Sequence, residues 1–122
     1  MTVDRVHVFE EDPLLRSNHY LHPSLAGHDR AHALSRRSSR VRLARLRELH
    51  GGHGDGPLDA AVLLRWLGDH GPPAATDCIC KHGNGDPLRT ETVGAVVMVP
   101  GERALWACPG PPCATPPERF QL

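Results

Sequence analysis

Apolar positions along this chain change period twice, from alternation to helical spacing and back. Thr2 to Phe9 places Val3, Val6 and Val8 among polar residues, which predicts a short strand. Glu10-Glu-Asp-Pro then reads as a turn. Leu14 to Leu25 has no clear period and suggests a strand leading into a loop. Gly27 to Leu34 is polar and rich in His, as a loop would be. From Ser38 or Ser39, either of which can cap a helix, Val41, Leu43, Ala44, Leu46 and Leu49 recur at helical spacing. Gly51-Gly52 is expected to end that helix near His50. Gly51 to Gly56 reads as a linker. A second helix is expected over about 58–69, with Pro57 near its first turn and Leu58, Val62, Leu63, Trp66 and Leu67 as its stripe. The short connection predicts an antiparallel helix pair.

Alternation returns in the last third. Asp77 to His82 suggests a short strand around Cys78-Ile79-Cys80, and Gly83 to Leu88 a turn. Glu91 to Val99 and Arg103 to Cys108 form a predicted hairpin about Pro100-Gly-Glu. In its first strand Val93, Ala95, Val97 and Val99 interleave with Gly94, Val96 and Met98. Both faces are thus apolar, as in a strand buried between two layers. The order predicts an α+β fold, a helix pair on an antiparallel sheet, in one domain over 1–122.

Composition adds boundaries. The 122 residues carry 14 basic and 14 acidic side chains, so nothing global points to nucleic acid or to an anionic membrane. All but Lys81 of the basic residues are Arg. With the abundance of Ala, Pro and Gly, this has the look of a GC-rich coding bias. Five aromatics, Phe9, Tyr20, Trp66, Trp106 and Phe120, leave the core to Leu, Val and Ala. Asp4, Arg5, His7 and Glu10 exclude a signal-peptide h-region within the first ten residues, and no apolar run approaches a membrane span. A cytoplasmic chain with reduced thiols is expected.

Several motifs stand in one order: Ser17-Asn-His-Tyr-Leu, Ser38-Ser-Arg-Val-Arg, Leu67-Gly-Asp-His, Ile79-Cys-Lys-His, Thr92-Val-Gly-Ala-Val-Val-Met and Ala107-Cys-Pro-Gly-Pro-Pro-Cys. That order resembles the C-terminal part of the autoproteolytic acyltransferase/hydrolase family of acyl-coenzyme A:6-aminopenicillanic acid acyltransferase. These are cysteine N-terminal-nucleophile hydrolases, related to choloylglycine hydrolases. The resemblance spans about Val3 to Leu122. It implies a share in a four-layer αββα sandwich. It also implies a precursor that cuts itself before a cysteine, whose thiol then attacks an amide or thioester carbonyl with its own α-amino group as base. No cofactor is implied. Asn18 matches as a candidate oxyanion donor, and Arg40, within the Ser-Ser-x-x-Arg motif, as a substrate-binding candidate. The family's nucleophile lies upstream of the matched region, and none of Cys78, Cys80, Cys108 and Cys113 takes its place. The expectation is therefore a portion inactive alone, which is either completed by a separate upstream polypeptide that carries the nucleophile, acting then on a small-molecule amide or acyl-CoA, or else a truncated gene product or misassigned start. Such a portion should expose an apolar sheet face and self-associate.

The same residues allow a rival from another class, a small binding module. Cys78, Cys80, His82, Cys108 and Cys113 supply enough ligands for zinc. The single residue between Cys78 and Cys80, however, is fewer than the two to four usual between paired ligands of structural zinc, which favours buried thiols. His19, His22, His28 and His32 read as solvated. Arg36, Arg37, Arg40, Arg42, Arg45 and Arg47 read as a solvated helix face, with phosphate or nucleic-acid binding as the alternative. Asp69-His70 reads as the close of the second helix, where an imidazolium suits the dipole.

Overall fold

The computed structural model describes residues 12–71, 77–83 and 85–122. The strand expected over Thr2–Phe9 lies outside them. The described chain is a mixed fold of three helices and one three-stranded antiparallel sheet. Helix α1 is a single turn, Pro23–Ala26, capped by the His22 imidazole on the Ser24 N–H. The segment before it, expected as a strand, forms bends.

Helix α2 runs over Ala33–His53, longer at both ends than the apolar stripe predicts. The His32 side chain accepts from the Leu34 N–H and so starts the helix a turn and a half before the two serines. Ser38 and Ser39 are not caps but buried residues of the helix interior, whereas Val41 and Ala44 face outward. Small side chains at 38 and 39 let neighbouring segments approach α2 closely. At the far end Gly51 and Gly52 stay helical, and Gly54, at φ +73°, ends the helix. Two glycines cost such a helix about 1 kcal/mol each relative to alanine. The rings of His50 and His53 offset this by meeting Trp66 edge-on, at 6.2 and 5.6 Å between centroids.

Helix α3, Ala60–Leu67, is capped by Asp59, whose Oδ1 accepts from the Val62 N–H at 2.8 Å. Its buried residues Val62 and Trp66 pack toward the sheet, and α3 lies against strand β1. Arg45 of α2 grips Asp69, just beyond α3, through two hydrogen bonds of 2.8 Å. The two helices thus meet at the end of α2 and through this ion pair.

Strands β1 (Ala95–Val99) and β2 (Ala104–Cys108) form the expected hairpin, with β1 starting at Ala95 rather than Glu91, closed by a 3-10 turn at Pro100–Glu102, with Arg103 at φ 50°. A third strand, β3 (Glu118–Gln121), adds to the far side of β2, so the order is β1-β2-β3. The register places Ala95, Val97, Val99, Ala104, Trp106 and Cys108 on one face. Val97, Ala104 and Cys108 are buried there. Val96, Met98, Leu105, Ala107 and Phe120 share the other face. Val96 and Met98 remain 51% and 67% exposed. The expected burial of β1 between two layers is therefore half met, because no described element covers the outer face.

The predicted strand at 77–82 reduces to one bridge, His82 with Glu91. Its amides bond in different directions. The Cys80 N–H reaches the Asp69 carbonyl at 3.0 Å, and the Lys81 N–H reaches Thr92 Oγ1 at 2.9 Å. The Lys81 N–H meets a side-chain hydroxyl where a ladder would supply a backbone carbonyl, so the pairing stops at the bridge.

Candidate functional site

Two groups of polar side chains flank the segment 77–83. The first lines a cleft of about 350 Å³ between α2 and the 77–92 region. Ser35, Ser38 and Arg42 project into it from α2, at the i, i+3, i+7 spacing of one helix face. Asn18 stands on its wall. Ser39, 1% exposed, fixes the segment that carries Asn18. Its hydroxyl donates to Ser17 Oγ at 3.0 Å and lies 2.8 Å from His19 Nδ1. Arg42 Nη2 donates to Asn18 Oδ1 at 2.9 Å. The carbonyl end of the amide is thereby held from α2. Arg42 Nε is buried with no partner among the described residues, and burial lowers the affinity of this guanidinium for its proton.

The cleft floor is a closed ionic network. The buried Lys81 ammonium lies 2.8 Å from Asp86 Oδ2 and 3.2 Å from Ser38 Oγ. Asp86 also accepts from the Leu88 and Thr90 amides and from the Thr90 hydroxyl. The Lys81 ammonium, followed by these donors, holds the Asp86 carboxyl well below the usual carboxylate range. Asp69 is likewise held low, chiefly by its hydrogen bonds from Arg45.

The second group consists of thiols and imidazoles. His70, Cys80, His82 and Cys113 bring one ligand atom each to within 4.8 Å of one another. His70 Nε2 and His82 Nε2 lie 2.9 Å apart, Cys113 Sγ and His82 Nε2 3.2 Å, Cys80 Sγ and Cys113 Sγ 3.6 Å, and Cys80 Sγ and His82 Nε2 3.9 Å. Three segments supply these atoms: the exit from α3, the 77–83 segment and the turn after β2. Gly68 sets the approach of the last. A Cβ there would stand 3.3 Å from Cys113 N and 3.4 Å from Pro112 C, so glycine lets the Cys113 turn sit against the end of α3. Cys80 is fully buried, and burial pushes its thiol up to about 11. His70, His82 and Cys113 are exposed.

The sequence expectations sort against this geometry residue by residue. Asn18 lines the cleft. Arg40 points to solvent, while Arg42, one turn beyond Ser38, faces the cleft and holds Asn18. The Arg that fits the Ser-Ser-x-x-Arg spacing is Arg42, and the i, i+4 relation to Ser38 was its available signal. Of the five proposed zinc ligands, Cys80, His82 and Cys113 converge. Cys78 does not: its buried thiol donates to the Cys80 carbonyl at 2.8 Å. Cys108 is buried opposite Ala95 on the inner sheet face. His70, expected to close the second helix, lies beyond α3, which ends at Leu67, and joins the sulfur cluster instead. The signal in reach was Cys80-x-His82, whose side chains share one face of an extended chain.

Comparison of the chain with family models, with curated proteins and with solved structures finds no match. Among the described residues, no helix is long and apolar enough to cross a membrane.

Proposed function

We propose that this chain forms the C-terminal portion of a cysteine-dependent N-terminal-nucleophile amide hydrolase or acyltransferase, with Asn18 as an oxyanion donor. The observation that carries the reading is the oriented amide: Arg42 occupies Asn18 Oδ1, so the Nδ2 hydrogens stand ready at the wall of the cleft. A donor fixed before substrate arrives loses little to reorganisation when negative charge develops.

The nucleophile is proposed to come from a separate polypeptide that begins with cysteine. Its α-amino group takes the thiol proton, and the thiolate attacks the amide carbonyl. The carbonyl oxygen becomes an oxyanion that accepts from Asn18 Nδ2. Collapse expels the amine, which takes the proton back, and leaves a thioester. Water or a second amine then receives the acyl group. Four free cysteines fit a reducing, cytoplasmic setting. The outer sheet face, with Val96, Met98 and Phe120 exposed, fits the second sheet that a four-layer sandwich would lay on it.

Purification of the chain from its source cells under native conditions tests this reading. The expected result is co-purification with a polypeptide whose first residue is Cys. The complex should hydrolyse an amide or acyl-CoA, and Asn18→Ala should lower its kcat by roughly 10²–10³-fold. Recovery of the chain without such a partner, or an unchanged kcat in Asn18→Ala, sinks the proposal.

A further inference from the structure

We propose that His70, Cys80, His82 and Cys113 form a structural zinc site that ties the end of α3, the 77–83 segment and the turn after β2 into one unit. This inference is independent of the reading of the cleft. A zinc ion with Zn–S of about 2.3 Å and Zn–N of about 2.0–2.1 Å in a tetrahedral field separates its ligand atoms by roughly 3.8 Å for two sulfurs, 3.6 Å for sulfur and nitrogen, and 3.3 Å for two nitrogens. The observed sulfur pair stands at 3.6 Å, the two Cys–His82 pairs at 3.9 and 3.2 Å, and the nitrogen pair at 2.9 Å. Four of the six edges lie within about 0.4 Å of the tetrahedral value, and the two from His70 to the sulfurs lie within 4.8 Å, so the His70 ring must move closer to the sulfurs for all four to ligate one ion.

The donor set selects the ion. Two thiolates and two imidazoles suit zinc, whereas magnesium and calcium require oxygen ligands. All four positions are filled by protein, which leaves no place for substrate or water, so the site is structural rather than catalytic. Positioning comes from outside the cluster. The Asp69 carbonyl accepts from the Cys80 N–H, and Arg45 clamps the Asp69 side chain, so the residues beside His70 and at Cys80 move together. Gly68 admits the backbone of Cys113. Zinc binding would replace the thiol protons of Cys80 and Cys113 and release two protons to solvent.

The test uses the full chain, stripped of metal with a chelator under reductant and titrated with Zn(II) and, separately, Co(II). One equivalent of either ion should bind, and the cobalt adduct should show the intense visible bands of a tetrahedral thiolate site. Cys113→Ser and His70→Ala replace exposed side chains and should leave the fold in place. Each should weaken binding by more than the roughly 10–100-fold that loss of an outer-shell partner costs. His28→Ala, which removes an exposed histidine elsewhere, should bind as the parent does. Uptake below about half an equivalent would overturn the proposal. So would unchanged affinity in Cys113→Ser, or a chain that forms a Cys80–Cys113 disulfide in air yet takes up no metal when reduced.

Discussion

Lys81 and its neighbours Cys80 and His82 reach, from one short stretch of backbone, into two polar groups of opposite character. Around Lys81 the ionic groups answer one another, although the buried Arg42 Nε beside them has no partner among the described residues. The ammonium meets Asp86, Ser38 and, at 3.9 Å, Asp77, while Asp86 takes four donors from Lys81, Leu88 and Thr90. Around Cys80 and His82, two thiols and two imidazoles bring their ligand atoms within 4.8 Å of one another. A buried network with all partners present fixes a shape. The convergence of four ligand atoms from three segments is the observation on which the proposed zinc site rests. The contrast separates scaffold from site where burial alone would not, since Lys81 and Cys80 are both buried.

The sharpest way to break this contrast is to remove one member from each group. Lys81→Met leaves the Asp86 carboxylate enclosed and unpaired, and its fall in urea midpoint should be the largest of any substitution named here. Metal-free Cys113→Ser should change stability by no more than about 0.5 kcal/mol. Equal losses would erase the distinction. Next in size is the response to zinc. At a hundredfold excess over Kd it should stabilise the parent and Lys81→Met by about 2.7 kcal/mol each, and Cys113→Ser far less, as read from urea midpoints.

Acid sharpens the same comparison. The folded Asp86 carboxyl titrates below its unfolded value of about 3.9, so its contribution is complete above that pH. It is lost as pH falls from there toward the lower folded value, because the unfolded chain binds the proton first. Asp69, held low by Arg45, acts with the same sign. Urea midpoints at pH 5 and pH 3 should therefore diverge in the parent and diverge less in Lys81→Met, where Asp86 keeps only its donors from Leu88 and Thr90. The smallest expected effect is that of Asn18→Ala on stability, within about 0.5 kcal/mol, because its side chain is exposed. A large loss there would mean that Asn18 holds the fold rather than serving the cleft.

Legibility in the sequence follows the range of the forces concerned. The β1–β2 hairpin was readable because alternation and the Pro100-Gly101 turn are local. The existence of α2 and α3 was readable from helical spacing, but the start of α2 was not, since its cap is the imidazole of His32 rather than either serine. Strand β3 escaped notice because Phe120 is the only apolar residue among its four, and its pairing depends on β2. In the cleft, Ser38 and Arg42 share a helix face that spacing alone can show. The Lys81–Asp86 pair cannot be read that way, because it closes around an irregular turn. In the sulfur cluster, Cys80 and His82 are near in sequence, whereas His70 and Cys113 arrive through the packing of Gly68 against the Cys113 turn.

That convergence also sets an order of assembly. The hairpin joins residues only 5–13 positions apart, whereas the contact of Cys80 with Cys113 spans 33 positions and encloses the whole hairpin. Closing the larger loop costs more chain entropy and yields its contacts later. The hairpin should therefore form first, and the Cys80–Cys113 closure should be the last to lock and the first to open. Amide exchange would display this as lower protection at the Cys80 N–H than along β1 and β2. The protein would then carry a latch outside its most durable element, able to release without dismantling the sheet.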